Sequence, residues 1–246
     1  MEGGVKATEE KLWTCVRQRA GPLTKEVRYR RPQLRASDLP SVRREKNEIV
    51  RAIRDSCFRR TPTDRLELML ALMSWEATTY VLTFSEEQLP EDFAGVRRVW
   101  SRFAGDLRRQ HGGAFDYVYV IEGLHGGRRW HIHCVLRDRD FAEADVVRWW
   151  GGGLVLDPEP LMQHPGDKFR RTAEYFTKER RDGERIPRGK RTWVASPSLY
   201  RQLPAPEKSR VRSGTIRVPR DIGWSAKGST ENAFGSFSYR EWIRLP

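Results

Sequence analysis

Cysteine and histidine are scarce in this 246-residue chain, which has three of the first and five of the second. Cys15, Cys57 and Cys134 are odd in number and widely spaced. That excludes a disulfide framework and a cysteine-based zinc knuckle and fits a reducing compartment. Long apolar runs are also missing. The longest, Leu66 to Trp75, is too short and too interrupted to span a bilayer. The opening residues, Met1-Glu2-Gly3-Gly4-Val5-Lys6, lack the apolar stretch of a signal peptide. A cytoplasmic protein with no membrane partner is expected. There is no internal repeat and no heptad pattern. Acidic side chains are outnumbered, 33 against 46 Lys and Arg, for a net charge of +13. That surplus exceeds what solubility needs and points to a polyanionic partner, nucleic acid before an acidic membrane.

What is present is a folding composition, 38% hydrophobic and 11% aromatic, enough for one large domain or two small ones. Residues 1–41 are basic, contain proline and show little periodicity, so they are expected to form an arm. A helical lead-in is expected over 42–76, with helices at 42–57 and 63–75 and Asp64 capping the second. Residues 78–84 are β-branched and aromatic, the composition of a strand. Phe93, Val96, Trp100, Phe103 and Leu107 recur at three and four, the core stripe of a helix over 90–110. Asp116 to Glu122 and Trp130 to Leu136 read as a hairpin around Gly123, Gly126 and Gly127. Asp140 and Glu143 form a capping pair for a helix reaching Trp150. A short strand at 154–156, a helix over about 167–181, and a last strand at 192–195 follow. Residues 201–246 are basic, rich in Ser and Gly and weakly periodic, an extension. The expected class is α+β, a central antiparallel sheet with packed helices over residues 77–200 plus N-terminal helices.

Within the hairpin, His131-Ile132-His133 sits in an otherwise apolar strand. Side chains two apart on a strand share a face, so two imidazoles project together. If Glu122 pairs with His131, all three polar groups share that face. Tyr119, Ile121, Ile132, Cys134 and Leu136 then form a coherent core set on the other. Two imidazoles and a carboxylate suit a catalytic divalent ion, and also suit zinc, although no H-E-x-x-H helix is present. Downstream, Tyr175 and Lys178 are three apart on the 167–181 helix and share a face. A cation beside a phenol favours phenolate and neutralises a phosphate.

Three blocks therefore stand in order: Tyr80-Val81-Leu82-Thr83-Phe84, then Glu122 with His131-Ile132-His133, then Tyr175-Phe176-Thr177-Lys178-Glu179. This arrangement, over about residues 78–200, resembles the HUH-type rolling-circle replication initiators of phages and plasmids, single-tyrosine type. Gly189-Lys190-Arg191-Thr192-Trp193-Val194-Ala195-Ser196 is similar to a stretch that follows the tyrosine helix in that family. The resemblance implies a site-specific nickase and ligase of single-stranded or hairpin origin DNA. Glu122, His131 and His133 would hold Mg or Mn, Tyr175 would form a 5′-phosphotyrosine link, and Lys178 would offset charge. No tyrosine stands four residues after Tyr175, which departs from the two-tyrosine members. The stretch Gly183 to Lys190 misses a P-loop by one residue and by Arg191 in place of Ser or Thr. A host helicase and polymerase are therefore the implied partners. Arg128, Arg129, Arg170, Arg171, Lys190 and Arg191 are candidates for DNA phosphates. Trp149 and Trp150 are core candidates that would otherwise stack on bases. Two alternatives remain: a non-catalytic nucleic-acid-binding protein, and a transposase or relaxase with the same chemistry.

Overall fold

Two five-stranded antiparallel sheets organise the chain in the computed structural model, which describes residues 12–30, 47, 61–123, 129–137, 142–162, 168–177, 193–232 and 235–246. The elements run β1 (Trp13–Ala20), β2 (Leu23–Arg30), α1 (Pro62–Met73), β3 (Ala77–Thr83), α2 (Phe93–Gln110), β4 (Tyr117–Glu122) and β5 (His131–Arg137). They continue α3 (Glu143–Trp149), β6 (Val155–Pro160), α4 (Phe169–Thr177), β7 (Trp193–Ala195), α5 (Pro197–Gln202), β8 (Glu207–Val211), β9 (Ile222–Asn232) and β10 (Gly235–Arg244). This is the α+β class expected.

The chain divides into two units, Pro62–Leu203 and the remainder. In the first, the sheet order is β6-β3-β5-β4-β7, with β5 in the middle. One face is closed by α2 and α3. Asp92 Oδ1 accepts from Gly95 N at 2.6 Å and fixes the start of α2, one of the orphan donors of a helix start. From α2, Trp100 stacks on Tyr119 of β4 at 4.1 Å between ring centroids. Phe103 meets Trp150 edge-on. Tyr119, Ile121, Ile132, Cys134 and Leu136 are all buried in this cluster, the core set expected of the hairpin. Trp150 is core, its Nε1 donating to Thr83 O at 2.9 Å, and Trp149 is half-buried against the same cluster.

The second unit is the sheet β8-β1-β2-β10-β9. It differs from the sequence expectation, for residues 13–30 are paired strands where an arm is expected, and residues 207–244 carry three more where an extension is expected. These strands escape notice because their alternation is polar on one side and mixed on the other, and their partners lie about two hundred positions away. Residues 42–57, expected to be helical, lie outside the described residues except Asn47, which is helical. Two capping expectations also change. Pro62 opens α1, so Asp64 falls inside its first turn and pairs with Arg170 instead. At α3 the N-cap is Ala142, whose N–H donates to Asp145 Oδ2, and Asp140 lies outside the described residues.

Candidate metal and nucleophile site

The β4–β5 ladder pairs Glu122 with His131 and Val120 with His133, the register that puts the carboxylate and both imidazoles on one face. The ladder holds because a slip by one residue would expose Ile121 and Ile132, both almost fully buried. Gly123 and Trp130 flank the ladder. A Cβ on Gly123 would meet the Trp130 ring at 1.9 Å, so glycine lets this buried indole lie against the backbone next to Glu122.

His131 Nε2 stands 3.2 Å and His133 Nε2 3.7 Å from Glu122 Oε2. The three ligand atoms lie within 4.8 Å of one another. Atoms bound at ~2.1 Å to one ion stand roughly 3.0–3.4 Å apart, so the donor set fits a divalent ion. His131 Nδ1 lies 3.3 Å from Arg129 O, where a ring N–H donates to a carbonyl. That tautomer aims the Nε2 lone pair at the Glu122 carboxylate, and two acceptors so placed need a cation between them, the orientation that outer partners give metal-ligating histidines. Cys134 is not a further ligand. Its side chain points into the core, where burial pushes the thiol well above its ordinary range.

Helix α4 stands across this face. Phe169, Ala173 and Phe176 are its buried stripe, and Tyr175 projects from the other side, 39% exposed. Its hydroxyl is 3.1 Å from His133 Nε2, and the two rings meet edge-on at 5.2 Å. Glu122, His131, His133 and Tyr175 therefore converge. An open groove beside them is lined by Thr79, Val81, Glu159, Lys168, Arg171 and Tyr175.

The cationic candidates separate. Arg171 is exposed on the groove. Arg129 is ion-paired with Glu86. Arg170 turns away from the groove and engages Asp64 at 2.6 Å, Glu174 at 2.8 Å and Glu67 at 3.4 Å. Burial alone would lower its pKa, but hydrogen bonds to Glu174 and Asp64 and the nearby Glu67 charge raise it. Arg170 is thus a clamp between α4 and α1. Arg128, Lys178, Lys190 and Arg191 lie outside the described residues. Two residues the sequence did not single out for this site are Lys168, which shares the groove one turn before Arg171, and Asp116, which ties the far ends of the hairpin together. Lys168 was findable from its spacing of three from Arg171 on the tyrosine helix.

Residues 77–180 match the model of a family described as replication-associated protein of the ORF2 type. The matched stretch contains Glu122, His131, His133 and Tyr175, and its likeness is to proteins of DNA replication. No curated protein and no solved structure matches the chain. Among the described residues, no helix is long and apolar enough to cross a membrane.

Proposed function

We propose that the chain initiates replication by nicking and rejoining single-stranded or hairpin origin DNA, with an HUH-type site and Tyr175 as nucleophile. The observation that carries this is the Tyr175 hydroxyl at 3.1 Å from His133, itself in the His-His-Glu cluster. A phenol ordinarily ionises near pH 10, so it needs an acceptor for its proton and a means to offset charge at the phosphate. A divalent ion, Mg or Mn, held by Glu122, His131 and His133 supplies Lewis acidity and charge neutralisation at a phosphate.

The chain's own groups do the rest. Tyr175 Oη attacks phosphorus, the P–O3′ bond breaks, the 5′-phosphate stays on tyrosine, and the 3′-oxygen leaves with a proton as a hydroxyl. Because one phosphodiester replaces another, the reverse step joins ends. Arg171 and Lys168 line the groove where neighbouring phosphates would lie, and Lys178, one turn beyond Tyr175 by spacing, is assigned to the scissile phosphate. The free 3′-hydroxyl would serve a host polymerase, and a host helicase would separate strands in the cytoplasm.

The test is a denaturing gel for covalent protein–DNA adducts, using a library of single-stranded hairpins with Mn or Mg. Adduct is expected from the native protein and is expected to vanish with a chelator and in Tyr175→Phe, whose DNA affinity should stay within about threefold (~0.6 kcal/mol). An adduct that survives Tyr175→Phe rules out this nucleophile. Absence of adduct with every hairpin rules out the activity.

A further inference from the structure

The charge that suggested nucleic acid does not sit on the unit that carries Tyr175. Pro62–Leu203 holds 22 Lys and Arg against 21 Asp and Glu, while the rest of the chain holds 24 against 12, so the second unit's stretch supplies +12 of the +13. The five-stranded sheet concentrates part of that charge on one face. Its register aligns Arg17 of β1, Glu26 of β2, Arg240 of β10 and Lys227 of β9 in one row. Arg19, two residues past Arg17, shares the face.

Glu26 is 1% exposed and already engaged. It accepts from Arg17 Nε and from Arg28 Nε, each at 2.7 Å. Glu207 stands at the row's outer end, opposite Arg17. Among the described residues, Arg19, Lys227 and Arg240 have no ion pair, and Arg19 and Lys227 are exposed. Arg240 and Lys227 are direct cross-strand neighbours. Like charges so placed cost the sheet stability, a cost that an anion laid across the row offsets. Four strands at ~4.8 Å spacing span about 14 Å, over which a DNA duplex carries about eight phosphate charges. Ser225, Ser229 and Ser238 lie on the same face and add hydroxyls of the kind that bond phosphate oxygens.

We propose that this face is a second DNA-binding surface, one that holds the sugar–phosphate backbone without reading bases and independently of the groove at Tyr175. It keeps DNA on the chain that carries the nicking unit while leaving sequence choice elsewhere. The proposal stands whether or not Tyr175 is a nucleophile.

The experiment is fluorescence anisotropy across a salt series with the full chain carrying Tyr175→Phe, in chelator, with a labelled single strand of arbitrary sequence and its duplex. The combined variant Arg19→Gln, Lys227→Gln, Arg240→Gln is expected to bind at least about tenfold more weakly. Its log–log salt slope on the single strand should be shallower by about 2, at ~0.7 per lost phosphate contact. Arg19→Gln with Lys227→Gln alone, both at exposed positions, should shift the slope by about 1.4 and covers the case in which the triple variant fails to fold. Arg98→Gln with Arg102→Gln, exposed on α2, should leave affinity within about twofold (~0.4 kcal/mol). An unchanged slope in the face variants overturns the proposal. So does an equal loss in the α2 control, which would make the binding diffuse, or binding of the native protein to anionic lipid vesicles but not to DNA.

Discussion

Asp116 stands immediately before β4, 5% exposed, and collects partners from three places in the chain. Arg137 Nη1, at the end of β5, donates to Oδ2 at 2.8 Å. Ser196, Ser198 and Gln202, around α5, donate as well. Arg137 in turn donates to Leu72 O of α1. One carboxylate thus ties the hairpin that carries Glu122 and His131 to the helices at both ends of the unit. Truncating one partner of a buried pair leaves the other charge without compensation, about 3–5 kcal/mol. Asp116→Ala is therefore expected to lose that much in urea unfolding, and Asp116→Asn, which keeps an acceptor, clearly less. Equal losses for the two would show that charge is not what Arg137 requires. No local pattern announces this residue, because its partners lie 21 to 86 positions away. The metal triad is the opposite case. A period of two and a short hairpin define which residues share a face, so Glu122, His131 and His133 are legible from nine to eleven residues of chain.

At the scale of elements, α4 has nine residues, too few to be stable alone, so its position depends on packing. Its buried stripe faces inward, and Arg170 joins it to Asp64 and Glu67 of α1, whose side chains are 10% and 3% exposed. Thr177 and Thr63 meet at 2.6 Å at the other end. Sequence placed the helix, because its apolar spacing is clear. It assigned Arg170 to DNA because the acids that hold it lie about a hundred residues earlier, where no periodicity links them. Arg170→Met removes the cation and keeps much of the stem, leaving two buried carboxylates side by side. A loss of about 3 kcal/mol is expected, at the low end for a buried pair because the guanidinium is 29% exposed. Since Tyr175 rides on this helix, single-turnover adduct formation should slow by about tenfold or more (~1.4 kcal/mol), while Mn affinity, set by β4 and β5, stays unchanged. A variant that loses DNA affinity but keeps the adduct rate would return Arg170 to the DNA contacts.

The whole molecule is one unit interrupting another. β1 and β2 come before Pro62–Leu203 and β8 to β10 after it, yet β1 pairs with β8 and β2 with β10. Contacts of that sequence separation are late and costly in loop closure, and they explain why a local reading took both ends for tails. The inserted unit has the features of a self-sufficient fold. Its core cluster, from Tyr80 to Trp150, draws on no residue outside it, and its first and last helices, α1 and α5, pack together. Its charge is nearly balanced, so it lacks the long-range attraction for DNA that the other stretch carries. A fragment spanning 62–203 is therefore expected to unfold in one cooperative transition and to form the Tyr175 adduct on a short hairpin at a rate within about threefold of the full chain (~0.6 kcal/mol). Its affinity for arbitrary DNA should fall by at least about tenfold, with a shallow salt slope. A fragment that does not fold would show that the sheet is required by the nicking unit's core. A fragment that folds and retains full affinity for arbitrary DNA would place the phosphate contacts on the nicking unit itself.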